Sequence, residues 1–150
     1  MLDKLNFNLK ACAPAVLRYS MAMVILWFSI QQFMNANAWT AYVPDSVVSM
    51  SHLNAITLVY FNALFELVFG IMLILGYRTR LSAILLSLHL LDIMYVVGYG
   101  EIGVRDFGLA MATFVVFMNG YDNLCLDYKD KEDIISNTSE AGTVQQPKRI

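Results

Sequence analysis

A bilayer core about 30 Å thick takes about 20 mostly apolar residues of helix to cross, and this chain holds four segments of that kind. They cover about residues 15–34, 55–75, 81–98 and 104–120. That pattern sets the class, because a chain of 150 residues cannot bury four all-round apolar helices in a water-soluble core. Composition agrees: 58% of the residues are hydrophobic and 15% are charged, against about 45–50% and about 25% in a soluble domain. The connections, residues 35–54, 76–80 and 99–103, are short enough to favour antiparallel neighbours. The expected fold is therefore all-α, an integral membrane four-helix up-down bundle within residues 1–126. Residues 127–150 are too poor in apolar side chains to offset their ordering entropy, and read as a disordered polar tail.

Basic residues orient this bundle. Lys4, Lys10 and Arg18 accompany the first segment, Arg78 and Arg80 the second connection, and Lys129 and Lys131 the tail, whereas Arg105 is alone on the other side. The positive-inside rule then puts both termini in the cytoplasm of a multi-pass cell-membrane protein. Ala36-Asn37-Ala38 has the form of a signal-peptidase site. The apolar run before it is longer than a signal core and holds Arg18, so the segment is kept as the first membrane helix. A net charge of −2 gives no basic surface for nucleic acid. Cys12 and Cys125 make no disulfide framework and no C-x-x-C site, and both are expected as free cytoplasmic thiols.

Polar residues inside the apolar segments carry the functional information, since each costs on the order of 2.5–3.5 kcal/mol to insert when ionisable. Asn62, Glu66 and Gly70 recur every four residues on one face of the second segment. His89 and Asp92 share a face of the third. Counting about 1.5 Å per residue, Glu66, His89 and Asp92 lie at one depth, about 12–17 Å from the cytoplasmic ends. They are the candidate catalytic layer, either proton-exchanging or ligand-contacting. A carboxylate this deep cannot snorkel; it must be protonated, paired or hydrated from within the protein. Gln31 and Gln32 in the first segment and Arg105 and Asp106 in the fourth are expected to form a second, shallower layer that fixes packing. Gly70, Gly108 and Ala112 read as close helix contacts. A metal bound by His89, Asp92 and Glu66 is a loose pattern, and no metal site is assigned.

In order along the chain come Leu17-Arg18, then Trp27 with Gln31, then the aromatic-Pro stretch Trp39-Thr40-Ala41-Tyr42-Val43-Pro44. Glu66-Leu67-Val68-Phe69-Gly70, Gly76, Thr79-Arg80-Leu81 and Arg105-Asp106-Phe107 follow. This succession resembles the DoxX/DoxD family of small four-helix membrane proteins. Some of its members are the membrane subunit of a thiosulfate:quinone oxidoreductase, others accompany thiol and oxidative-stress enzymes, and some relatives are membrane-protein assembly factors. Residue by residue, Arg18, Glu66, Gly70, Gly76, Thr79, Arg80, Arg105 and Asp106 match the family pattern, whereas His89 and Asp92 lie outside it. The resemblance implies a subunit of a membrane redox system, with other membrane or peripheral subunits as partners and quinone as the cofactor to test. The chain carries no haem-ligand motif or soluble redox domain of its own. Two other readings stay open: a non-catalytic scaffold or assembly factor, and a proton or small-solute carrier that titrates Glu66. A homo-oligomer is compatible with each.

Overall fold

Six α-helices and one 3-10 turn account for most of residues 2–126, which the computed structural model describes, with side chains from Cys12 onward. No strand occurs among the described residues, and the expected tail at 127–150 lies outside them. Helix α1 spans Leu2–Met34, α2 Ala36–Trp39, α3 Asp45–Ser51, α4 Ala55–Leu75, α5 Thr79–Val97 and α6 Glu101–Asn119. Cys12–Met34 within α1, and the whole of α4 and α5, are long and apolar enough to cross a membrane. Only 28% of the most apolar 18-residue stretch in each of these spans is buried inside the protein. Their remaining apolar surface faces outward, as it does where lipid rather than water is the solvent. The chain is a membrane protein.

Two boundaries differ from the sequence expectation for local reasons. Helix α1 begins at Leu2 rather than near residue 15, since neither the charged residues before the apolar run nor Pro14 interrupts it. The connection at 35–54 is not a plain loop. It folds as α2, a 3-10 turn at Thr40–Tyr42 and α3, and the aromatic-Pro stretch lies across the ends of the long helices.

Helix α1 packs chiefly on α4, and α5 on α6; the contacts between these two pairs are lighter. Arg18 lies level with Leu73, Ser29 with Ala63 and Gln32 with Asn62, so α1 and α4 run antiparallel. Small residues let the helices approach: Ala22, Ala63, Ala83 and Ala110 are fully buried around Ile25, Leu73 and Leu86. A Cβ on Gly70 would meet Leu26 Cδ2 at 2.9 Å, which explains that glycine as a close contact between α1 and α4. Gly108 does not follow the expectation of a close contact, because a Cβ there would meet nothing within 4 Å. Ser29 Oγ donates to the Ala63 carbonyl at 2.8 Å and Ser87 Oγ to the Ala110 carbonyl at 2.9 Å, which ties each pair across its interface.

Helix α4 stops in a Schellman turn. Gly76 sits at φ +68°, its N–H donates to Leu73 O, and the N–H of Tyr77 donates to Met72 O. A Cβ on Gly76 would fall 2.6 Å from Cys125 Cα, so glycine is required both by the backbone and by the segment packed over it.

Candidate functional site

At the end of the molecule formed by the 35–54 connection, α1, α4, α5 and α6 enclose a cavity of about 310 Å³. That volume is in the range of small-molecule sites, about 300–1,000 Å³. Trp39, Tyr42 and Pro44 of the connection and Phe28 of α1 line it, together with aliphatic side chains of α4, α5 and α6. The expected polar layers both contribute to it through Gln32, Asn62, Glu66, His89, Arg105 and Asp106.

Glu66 is buried at 3% exposure and held by neutral amides. Gln32 Nε2 donates to its Oε2 at 2.8 Å, and Asn62 Nδ2 donates to its Oε1 at 3.2 Å and to Gln32 Oε1 at 2.8 Å. The expected separation into a deep and a shallow layer therefore does not describe the packing: Gln32 belongs with Glu66. The cause is the tilt of the Cα–Cβ bond toward each helix's N-terminus. In antiparallel α1 and α4 that tilt makes Gln32 and Glu66 lean toward each other across levels that residue counting keeps apart.

His89 faces Glu66 from α5, its Nε2 at 3.9 Å from Glu66 Oε1, too far for a hydrogen bond. Its ring lies on Phe65, with centroids 4.4 Å apart. His89 Nε2 is buried and has no hydrogen-bond partner among the described residues. Asp92 lines the same cavity from an exposed position, and Gln31 is half-buried outside it. Arg105 donates from Nε to Asp106 Oδ1 at 2.7 Å, and its guanidinium lies over the Phe28 ring at 4.5 Å. Among the described residues no group of three His, Cys, Asp or Glu is placed to hold a metal ion.

A second polar cluster lies at the opposite end, where the α4–α5 turn meets the segment after α6. Arg18 is fully buried there. Its Nε and Nη2 donate to the two oxygens of Asp122 at 2.8 and 3.2 Å, and its Nη1 donates to the Leu73 and Ile74 carbonyls at 2.8 and 2.7 Å. It thus neutralises a carboxylate and caps the C-terminus of α4 at once. Burial pushes the Asp122 carboxyl up, but the hydrogen bonds from Arg18 and from the Leu124 N–H outweigh it and hold that group below the usual aspartate value. Thr79 Oγ1 and the Asp122 N–H both donate to Cys125 Sγ, at 3.4 and 3.2 Å. Gly120, at φ +77°, lets Arg80 lie across the chain where α6 ends. Cys125 is buried and free, whereas Cys12 is exposed.

The residues that match the family pattern are thereby divided. Arg18, Gly76, Thr79 and Arg80 gather at the closed end, while Glu66, Arg105 and Asp106 border the cavity. Asp122 is not legible as a site residue in the sequence, although a buried arginine inside an apolar run calls for an acidic partner. Trp39, Tyr42 and Pro44 stand out in the sequence only through the family resemblance.

Three helices long and apolar enough to cross a membrane, with buried polar side chains toward both ends of the molecule, define a small α-helical membrane protein. The chain belongs to the DoxX family, whose model matches residues 13–99. The match takes in Arg18, Glu66, Gly76, Thr79 and Arg80, and ends before Arg105 and Asp106. No curated protein and no solved structure matches the chain.

Proposed function

We propose that this protein is a small subunit of a membrane-associated redox system and that its cavity binds a quinone. One observation carries the reading: a buried histidine nitrogen without a partner among the described residues, 3.9 Å from a buried carboxyl group, in an apolar and aromatic cavity. Leaving such a group unsatisfied costs about 1–3 kcal/mol, a cost that a ligand oxygen hydrogen-bonded to His89 Nε2 would remove. A quinone, when bound, supplies reversible acceptance of two electrons and two protons. The chain's own residues do the rest: His89 and Glu66 hold a proton at the polar end of the cavity, Gln32 and Asn62 fix the carboxyl group, and Trp39, Tyr42 and Phe28 keep water from the ring.

In the same reading α6 is the fourth crossing, both ends of the chain lie in the cytoplasm, and the cell membrane is the site of action. Basic residues around α1 and in the α4–α5 turn support this orientation. Because Cys125 is buried on either topology, Cys12 is the informative native thiol. An impermeant maleimide on intact cells should spare Cys12 and label a Ser49→Cys variant; the reverse result would invert the orientation.

Trp39 lines the cavity and Trp27 points outward at 55% exposure, so replacing Trp27 by Phe leaves a reporter at the site. Decylubiquinone should quench that reporter saturably in nanodiscs. Linear quenching that follows lipid partitioning alone would remove the proposed function.

A further inference from the structure

Two nitrogen groups beside the cavity are uncommitted, and the carboxylate that lines it without a hydrogen bond among the described residues, Asp92, lies at an exposed position. Both oxygens of Glu66 already accept amide hydrogens from Gln32 and Asn62. Asp106 has its charge matched by Arg105 at 2.7 Å. Arg105 spends only its Nε on that pair, and among the described residues its Nη1 and Nη2 have no hydrogen-bond partner. The arginine is also fixed in direction. Asp106 holds one edge of its guanidinium and the Phe28 ring supports its face at 4.5 Å, which fixes the group at the border of the cavity, where its side chain is 38% exposed. On α5, His89 Nε2 is the other unused polar atom, with its ring fixed against Phe65. Two uncommitted nitrogen groups thus border one apolar cavity from different helices.

We infer that Arg105 and His89 are two poles that select a planar ring bearing two separate oxygen acceptors, with Arg105 the specificity-determining residue. This rests on the quinone reading and sharpens it. A lipophilic cation is the competing ligand, since Asp92 lines the cavity with an unpaired carboxylate and the Arg105 charge is matched by Asp106; it would leave the His89 and Arg105 nitrogens unused. A ring hydrocarbon of the same shape would leave His89 Nε2 unpaired and give Arg105 nothing beyond its contact with solvent. The imidazole suits the inner pole, since its Nε2 donates to a carbonyl in one tautomer and accepts from a hydroxyl in the other. The Arg105 pole can only donate, so the discrimination resides there. Asp92, which lines the cavity from an exposed position, is part of neither pole.

The experiment uses the full chain in nanodiscs with the Trp39 reporter and four probes: 2-methyl-1,4-naphthoquinone, 2-methyl-1-tetralone, 2-methylnaphthalene and tetraphenylphosphonium. In the otherwise unaltered chain the naphthoquinone should bind at least about tenfold more tightly than the one-oxygen tetralone. The hydrocarbon should bind more weakly again, and tetraphenylphosphonium should not displace the quinone. Arg105→Met should lower quinone affinity about tenfold while leaving hydrocarbon binding unchanged, and His89→Phe should do the same at the other pole. If Arg105→Met fails to fold because Asp106 is left charged and buried, Arg105→Met with Asp106→Asn removes both charges together. Equal binding of naphthoquinone and hydrocarbon, quinone affinity unchanged by loss of Arg105, or displacement by tetraphenylphosphonium would each overturn the two-pole assignment. Failure of the quinone reading would look different, with no saturable quenching by naphthoquinone or decylubiquinone in the parent protein.

Discussion

The two ends of the molecule solve the problem of buried polar groups in opposite ways. At the closed end, Arg18 donates to both oxygens of Asp122 and to two carbonyls at the end of α4, while Cys125, Thr79 and backbone amides complete the net. At the cavity end, Gln32, Asn62 and Glu66 satisfy one another, yet the buried His89 Nε2 finds no partner among the described residues, and the exposed Arg105 at the cavity's border commits only its Nε. A net that closes on itself holds helices together and leaves nothing for a ligand to add. One that stops short beside an apolar cavity is stable only to the extent that its loose ends are few, and those ends are where a ligand can bind.

The largest expected effect comes from opening the closed net. Replacing Arg18 by Met leaves Asp122 buried without its cation, and breaking a buried pair from one side costs about 3–5 kcal/mol. Purified Arg18→Met should show a large drop in melting temperature or fail to accumulate, and a variant that melts like the parent would show that the pair carries little. Acid should act through the same pair. Because the folded Asp122 carboxyl is held below its unfolded value of about 3.9, its contribution is fully present above that value. It is lost as pH falls through the lower folded value. Stability should thus decline below about pH 4, and Asp122→Asn should be less stable at neutral pH with a shallower acid decline. An identical acid limb in that variant would remove Asp122 from the account.

Glycines give an intermediate contrast. Ala at position 76 meets both a positive φ and the Cys125 backbone, and should cost about 1–3 kcal/mol. Ala at position 108 meets nothing within 4 Å, so it should be neutral or gain up to about 1 kcal/mol in helix propensity. Thermal melts of the two variants should separate clearly, and overlapping melts would mean that the turn after α4 relaxes without penalty. The smallest effect belongs to the hydroxyl ties. Ser87→Ala should cost about 0.6 kcal/mol, the average for such bonds in membrane helices.

Much of this contrast is legible in the order of the amino acids. The apolar runs give α4 at the residues expected and α5 and α6 within a few residues of them; α4 and α5 are long and apolar enough to cross a membrane, whereas α6, the fourth segment expected, is not among the helices that meet that measure. Glu66 stands out because a carboxylate inside an apolar run has so few explanations. What cannot be read is pairing across helices. Gln32 falls in a layer apart from Glu66 when rises are counted from the helix ends, since such counting ignores the direction in which side chains lean. Asp122 has the look of ordinary polar sequence beyond the last apolar run, and only the fold returns that segment to Arg18. The connection at 35–54 is too short in each piece for a periodic signal, so its place across the cavity has no mark in the pattern.

The contrast itself is tested most directly by melting the parent and Glu66→Gln with and without decylubiquinone in nanodiscs. Gln keeps the size of Glu66 and, once Gln32 or Asn62 turns its amide to accept from the new NH2, its hydrogen bonding, but it cannot exchange a proton with a ligand. Its melting temperature without quinone should therefore stay near the parent's, within about 1 kcal/mol of stability, while the rise that quinone gives the parent should be lost or much reduced. A basal loss in Glu66→Gln as large as that of Arg18→Met, or a quinone-induced rise equal to the parent's, would contradict the distinction between a closed structural net and an open binding site.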